Sequence, residues 1–167
     1  MVRLKNKLKN KKVLVACCDA GGADVISSWL FISKFKGFDF YLIGPSVKIF
    51  QSKLKKINRK KKIILKKYDL IITGSSLKSS HEINIIRKAN KLNIPVITFM
   101  DHWVNYKKRF LRRKKYFLPD NFVVMDICAK KIAQKNFINK KIYLIENFRK
   151  KYFDLLYKNY KKLVKKN

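Results

Sequence analysis

Six short apolar runs along the chain constrain its fold more than any other feature. They are VLVACC (13–18), FYLIG (40–44), LIIT (70–73), PVITFM (95–100), FVVM (122–125) and IYLI (142–145). Most are rich in β-branched residues, and none alternates with polar residues, which is typical of strands buried on both faces of a sheet. The runs therefore predict a sheet that is covered by helices on both sides.

Helical patterns separate several of these runs. Residues 25–35, 83–92 and 127–137 show helical spacing, and a short helix is predicted from Pro45 to Leu54. Strand starts about 20 to 30 residues apart are typical of βα units. We therefore predict an α/β fold with one Rossmann-like, doubly wound, mostly parallel sheet of six or seven strands. The segment IIL at 63–65 is a candidate for the additional strand.

Near the carboxyl terminus, apolar side chains recur at helical spacing with lysines between them: Tyr152, Leu156, Tyr160 and Leu163. This pattern predicts an amphipathic helix over 149–165 that packs on a core formed by 12–148. We expect residues 1–167 to form a single domain. Contact between this helix and an anionic membrane surface is the alternative interpretation.

The chain is strongly basic, with 42 Lys and Arg against 10 Asp and Glu and a formal net charge of +32. Such a charge attracts polyanions, including nucleic acids and membrane surfaces. Lysine outnumbers arginine 35 to 7, however, as AT-rich codon usage would produce in any protein. The basic residues are also spread along the whole chain. A nucleic-acid-binding module, suggested by the aromatics in NYKKRFLRRKKYF, is therefore the alternative to a ligand-binding protein.

The three cysteines are Cys17, Cys18 and Cys128. Their odd number and the absence of CxxC spacing predict reduced thiols and neither a disulfide framework nor a metal site. The basic amino terminus is followed by an apolar run too short for a signal peptide or a membrane span. We expect a cytoplasmic protein that needs no cofactor, with peripheral attachment to the inner membrane face as an option.

Acidic residues follow several predicted strands: Asp19, Asp24, Asp101, Asp126 and Glu146. Because the carboxyl ends of parallel strands form the ligand-binding edge of such sheets, these acids should gather on one rim.

Some acidic residues also have a structural interpretation. Asp24 and Asp126 stand before predicted helices and are expected to be N-caps. Ser79 and Glu82 fit the S-x-x-E capping box, with His81 exposed in the first turn.

Two loops after predicted strands carry small residues. In CCDAGGAD, Gly21 and Gly22 allow close approach of a ligand to the backbone, and Asp19 suits sugar hydroxyls better than phosphate. The loop lacks GxGxxG and a Walker lysine, so it does not indicate a dinucleotide or ATP site. Ser75 and Ser76 in GSS are hydroxyl contacts to a ligand or parts of an ordinary turn.

The stretch FMDHWVNYKKRF (99–110) combines an acid, a histidine and a tryptophan at the end of a strand. His102 could act as a general base near neutral pH, with Asp101 as its partner. Neighbouring residues in an extended strand point to opposite sides, so this pairing requires a bend.

The rest of this stretch offers binding groups. Trp103 and Tyr106 present flat faces for sugars or bases, and Lys107, Lys108 and Arg109 supply cations for phosphate. The alternative places Trp103 in the core and makes His102 a hydrogen-bonded loop residue.

Five segments carry a resemblance to a known superfamily: VLVACCDAGGADVI (13–26), YDLIITGSS (68–76), IPVITFMDHW (94–103), LPDNFVVMDICAKKIAQKNF (118–137) and KIYLIENF (141–148). In order and spacing the chain resembles the amino-terminal half of the GT-B glycosyltransferases, including the UDP-N-acetylglucosamine 2-epimerase and CDP-glycerol glycerophosphotransferase branches. Glu146 and Phe148 stand where such proteins often have Gly and Pro.

The resemblance implies the acceptor-side half of a glycosyltransferase-like protein of surface polysaccharide or glycolipid biosynthesis. Gly21, Gly22, Asp101 and His102 would line the cleft between two domains. A nucleotide sugar or a glycan acceptor is the implied ligand. Because the sequence has no second Rossmann-like domain, we expect a partner chain to supply the donor site, or else a non-catalytic subunit.

Overall fold

The computed structural model of the protein describes residue 8 and residues 10–164, without the side chain of residue 163. The strands in these residues are β1 (Val13–Cys17), β2 (Asp39–Leu42), β3 (Asn58–Arg59), β4 (Leu70–Thr73), β5 (Val96–Phe99), β6 (Leu111–Arg112), β7 (Lys115–Tyr116), β8 (Asn121–Val124) and β9 (Lys141–Leu144). The α-helices are α1 (Ala20–Ser33), α2 (Ser46–Leu54), α3 (His81–Lys91), α4 (Tyr106–Arg109), α5 (Ile127–Asn136) and α6 (Phe148–Val164). Most of the basic amino-terminal segment lies outside the described residues.

Seven strands form one sheet in the order β3-β2-β1-β4-β5-β8-β9. Every neighbouring pair in this sheet is parallel. The remaining strands, β6 and β7, form a small antiparallel hairpin between α4 and β8. The predicted α/β fold with a Rossmann-like, mostly parallel sheet is confirmed.

The sheet has a hydrophobic core on each face because successive strand residues point to opposite sides. In β1, Val13 and Val15 pack in the core that also holds Trp29 of α1 and Phe148 of α6. Leu14 and Ala16 of the same strand pack in the other core, with side chains from α3, α4 and α5. Burial on both faces explains why these strands have continuous apolar sequences.

The predicted strand at 63–65 is wrong. Leu65 begins a short 3-10 helix, Leu65–Lys67, and the edge strand of the sheet is Asn58–Arg59 instead. Leu65 is buried in a core, whereas Ile64 is 60% exposed. The segment therefore lacks the two buried faces of a strand inside the sheet.

Helix α6 forms as predicted, but it packs on the core only through its first turns. Phe148 and Tyr152 are buried, and the Tyr152 ring meets Phe31 of α1 edge-on at 5.1 Å. Leu156 and Tyr160 are 44% and 64% exposed, so the prediction that they pack on the sheet domain is wrong. Among the described residues, no helix is long and apolar enough to cross a membrane.

A network of charged groups fastens α1 to α2 and α6. The carboxylate of Asp24 in α1 pairs with Lys53 of α2 and with Arg149 of α6. The Lys53 ammonium, 8% exposed, also donates to Ser28 Oγ at 2.7 Å and lies 4.6 Å from the centre of the Tyr152 ring. Asp24 is therefore an interhelical ion-pair partner within α1, and its predicted N-cap role is wrong.

Removing the charge of Asp24 should destabilise the fold, since Lys53 would remain buried without its carboxylate. We expect Asp24→Asn to lower the free energy of unfolding by about 2 kcal/mol or more, measured by urea denaturation. Asp154→Asn, on the exposed side of α6, is the matched control and should change it by less than about 0.5 kcal/mol. Equal effects of the two substitutions would contradict a stabilising role for the network.

Candidate functional site

The candidate site lies at the carboxyl edge of the sheet, where the direction of strand addition reverses. The chain passes from β1 to β2 on one side and later returns to place β4 on the other side of β1. Loops that leave neighbouring strands in opposite directions open a crevice, which is where α/β sheets of this kind bind ligands. The loops after β1, β4 and β5 therefore surround one region.

The first loop uses its glycines for contacts within the protein. A side chain on Gly21 would place its Cβ 1.8 Å from Asp101 Oδ2, and one on Gly22 would lie 3.0 Å from the Cα of Gly74. Asp19 is the N-cap of α1, and its Oδ1 accepts a hydrogen bond from Gly22 N at 3.1 Å. The space beside these glycines, which was expected to admit a ligand, is thus occupied by Asp101 and by the loop after β4.

The loop after β5 supplies the bend that the acid–histidine pair requires. His102 Nε2 lies 3.0 Å from Asp101 Oδ2. The Asp101 side chain is 1% exposed, whereas that of His102 is 53% exposed. The loop ends at Asn105, whose φ of 59° turns the chain into α4. The structure therefore brings the two predicted catalytic residues together, one buried and one open to solvent.

Arg109 is a partner of Asp101 and is not free to bind phosphate. Its side chain is 6% exposed, with Nη1 3.9 Å from Asp101 Oδ1. The same guanidinium donates to the Ser75 carbonyl oxygen and, at 3.4 Å, to the Val104 carbonyl oxygen. These contacts position Asp101. Lys107 and Lys108, by contrast, are exposed on α4, as a phosphate-binding role would require.

Ser75 and Ser76 are both buried, but they do different things. Ser75 Oγ lies 3.5 Å from Asp101 Oδ1, at the limit of a hydrogen bond. Ser76 Oγ accepts from Ser79 N at 3.0 Å and stabilises the turn before α3. Ser75 therefore contacts the acid–histidine pair, and Ser76 has the turn role that was the alternative interpretation.

Trp103 is presented at the surface by Asp126. The indole is 62% exposed, and its Nε1 donates to Asp126 Oδ2 at 2.9 Å. The other oxygen, Oδ1, accepts from Ala129 N at 2.7 Å, which confirms Asp126 as the N-cap of α5. The alternative that places Trp103 in the core is wrong. Tyr106 is buried and directs its hydroxyl to the Ala129 carbonyl, so it offers no binding face.

A cleft of about 420 Å³ opens beside the pair, between the loops after β5 and β8 and the start of α6. Its lining combines the acid–histidine pair with two aromatic and two cationic side chains: Asp101, His102, Trp103, Phe153, Arg149 and Lys150. Glu146, two residues after the end of β9, does not line this cleft; it is exposed and pairs with Lys151.

Glu82 belongs to the crevice, and its predicted role in a capping box is wrong. The residue is 2% exposed, and its Oε1 accepts a hydrogen bond from Cys18 N at 2.7 Å. The N-cap of α3 is Ser80, which makes no side-chain capping bond. His81 was expected to be exposed, but it is half-buried with Nε2 3.1 Å from the Tyr41 carbonyl oxygen, and burial lowers its pKa.

The crevice also brings together three groups that can bind a metal ion. Ligand atoms of Cys17, Asp19 and Glu82 all lie within 4.8 Å of one another. Burial raises the pKa of the Cys17 thiol, with a further contribution from Glu82, and burial raises the pKa of Glu82 to about 7. Burial and the Asp19 carboxylate likewise raise the pKa of Asp101. Sequence reasoning missed this cluster because Glu82 is distant in the chain and matched a capping motif.

The chain matches no protein-family model and no curated protein sequence. The resemblance to GT-B glycosyltransferases thus has no support from these comparisons.

The raised pKa of Glu82 predicts a pH-dependent stability. A carboxyl whose pKa rises from 4.5 to about 7 on folding favours the folded state below pH 4.5, and this contribution is lost as the pH rises through 7. Glu82→Gln removes that dependence. Relative to the unmodified protein, we expect the variant to gain about 2 kcal/mol in free energy of unfolding between pH 5 and pH 8.

Urea denaturation in chelator-treated buffer at the two pH values measures this difference. Glu146→Gln, at an exposed carboxylate, is the control and should show no such gain. A difference between Glu82→Gln and the unmodified protein that does not vary with pH would contradict the prediction.

Proposed function

We propose that the chain is a glycosyltransferase-like protein of surface polysaccharide or glycolipid biosynthesis. In this proposal it binds the glycan acceptor at the carboxyl edge of the sheet, and a second domain or chain completes the nucleotide-sugar site. One observation carries the proposal: an exposed His102 stands 3.0 Å from the buried Asp101 carboxylate, in a cleft that also presents Trp103.

The acid–histidine pair suits removal of a proton from a hydroxyl group. With Nε2 towards Asp101, the imidazole has Nδ1 available to take the proton of an acceptor hydroxyl. The acceptor oxygen then forms a bond to the anomeric carbon of the donor sugar, while the bond from that carbon to the nucleotide phosphate oxygen breaks. The proton stays on His102, and the Asp101 carboxylate stabilises the resulting imidazolium.

The cleft offers the other groups that a sugar ligand requires. Trp103 is held in place by Asp126 and exposes an aromatic face on which an apolar sugar face can lie. Lys150 lines the same cleft, is exposed and can pair with phosphate oxygens, a role that buried Arg109 cannot take. Arg149 adds positive charge to the cleft while its guanidinium pairs with Asp24. Lys107 and Lys108 add exposed positive charge on α4.

The dimensions and charge distribution favour a small ligand over a nucleic acid. A volume of about 420 Å³ lies within the range of small-molecule sites. The basic residues are distributed along the entire sequence, whereas nucleic-acid-binding domains concentrate them on one face or along a helix.

Trp103 provides a direct measure of ligand binding. The chain has two tryptophans, and Trp29 is 1% exposed whereas Trp103 is 62% exposed. We expect UDP-N-acetylglucosamine or a glycan acceptor to protect Trp103 fluorescence from iodide quenching at physiological salt. Trp103→Ala should weaken binding of the same probe about 5-fold, measured by calorimetry, since stacking contributes about 1 kcal/mol.

Heparin and a short oligonucleotide are the polyanion controls for this experiment. Equal protection by every polyanion would contradict the proposal and indicate that charge alone is recognised. Tight, sequence-dependent binding of the oligonucleotide would favour the nucleic-acid-binding alternative.

Replacing the acid–histidine pair should remove glycan transfer but leave ligand binding intact. We expect His102→Ala and Asp101→Asn to reduce transfer about 100-fold, in keeping with the loss of a general base. The measurement is recovery of surface glycan, normalised to the amount of protein, when each variant is returned to cells that lack the chain. Binding of the calorimetric probe should change less than about 3-fold.

His81→Gln is the matched control, because His81 is the other histidine of the chain and does not line the cleft. It should restore glycan as the unmodified protein does. Full restoration by a double variant of Asp101 and His102 would rule out the roles assigned to the pair.

A further inference from the structure

We propose that Cys17, Asp19 and Glu82 form a binding site for a divalent transition-metal ion, with Zn²⁺ as the best-matched chemistry. Their ligand atoms, a thiol sulfur and two carboxylate oxygens, all lie within 4.8 Å of one another. The site goes beyond the proposed glycan chemistry and does not depend on it.

Three elements position the ligands. Cys17 is the last residue of β1, Asp19 caps α1, and Glu82 lies in the first turn of α3. Two glycines leave room for their approach: a Cβ on Gly74 would lie 3.0 Å from Cys17 Sγ, and one on Gly22 would lie 3.1 Å from Asp19 Oδ1. The fold thus builds the cluster from the ends of one strand and two helices.

Glu82 provides an independent indication that this cluster receives a ligand. The residue is 2% exposed, and Oε1 accepts from Cys18 N at 2.7 Å. The second oxygen, Oε2, is buried and receives no hydrogen bond from any described residue. A buried carboxylate oxygen without a donor is costly, and a bound cation would remove that cost.

The charges around the cluster also favour a bound cation. Within the described residues, neither Asp19 nor Glu82 has a Lys, Arg or His nitrogen within 4.0 Å, although the chain has 42 Lys and Arg. Asp101 adds a third carboxylate across Gly21. A divalent ion would offset the mutual repulsion of these groups.

The ligand types select the class of metal. A thiolate with two carboxylates suits Zn²⁺ and related transition ions, whereas Mg²⁺ and Ca²⁺ prefer oxygen ligands alone. Three protein ligands leave a fourth position for water or substrate in a tetrahedral site. Binding releases the thiol proton of Cys17 and draws the three ligand atoms closer together by about 1 Å.

Titration with Co²⁺, a spectroscopic substitute for Zn²⁺, tests the site in the full chain under reducing conditions. We expect saturation at one equivalent, a thiolate-to-cobalt charge-transfer band in the near ultraviolet, and loss of that band when Zn²⁺ is added. Cys17→Ser should abolish the band, and Glu82→Gln should weaken Co²⁺ binding at least 10-fold. Cys128→Ser is the matched control, because Cys128 is exposed and outside the cluster, and it should leave the band unchanged.

Glu82→Gln preserves the size of the side chain, so it keeps the test valid if Cys17→Ser does not fold. A missing charge-transfer band would overturn the proposal, and so would unchanged Co²⁺ affinity in Glu82→Gln. These outcomes are separate from those of the proposed glycan function, because Trp103 quenching and the His102 variants do not report on Cys17 or Glu82.

Discussion

The parallel direction of all seven strands in the main sheet is the constraint on which the rest of the structure depends. Helices cover both faces of the sheet, so a ligand can reach it only where the strands end. Because the strands are parallel, all their carboxyl ends lie along the same side of the sheet. The reversal at β1 separates the loops there. Polar side chains that follow the strands consequently meet around one crevice, whatever their distance along the sequence.

The crevice has an electrostatic character opposite to that of the whole chain. Asp19, Glu82 and Asp101 gather there in a protein of net charge +32, and Arg109 is the buried cation that reaches Asp101. Burial raises the pKa values of Glu82 and Asp101, so the charge on this site is sensitive to protonation and to bound cations. Gly21 permits the arrangement, because any side chain there would displace the Asp101 carboxylate.

Where sequence reasoning failed, a local pattern competed with a distant partner. The S-x-x-E sequence predicted a capping box, yet Glu82 bonds to Cys18, 64 positions earlier in the chain. Asp24 was expected to cap a helix, but α1 begins earlier, at Ala20, with Asp19 as its N-cap, and Asp24 pairs with Lys53, 29 positions away. Arg109 was predicted to bind phosphate, but it is buried and pairs with Asp101. In each case burial and charge pairing outweighed the local preference.

The sequence by itself determined six of the seven strands of the main sheet, the main helices and the edge at which Asp19, Asp101 and His102 would meet, because periodicity and strand ends are local properties of the chain. Only the tertiary structure decided which groups pair, which cations are buried and which acids lose contact with water. A bend after β5 places His102 beside Asp101, a hydrogen bond to Asp126 holds Trp103 at the surface, and Glu82 lies close to Cys17. Desolvation and ion pairing depend on separations in space, which spacing along the sequence does not specify.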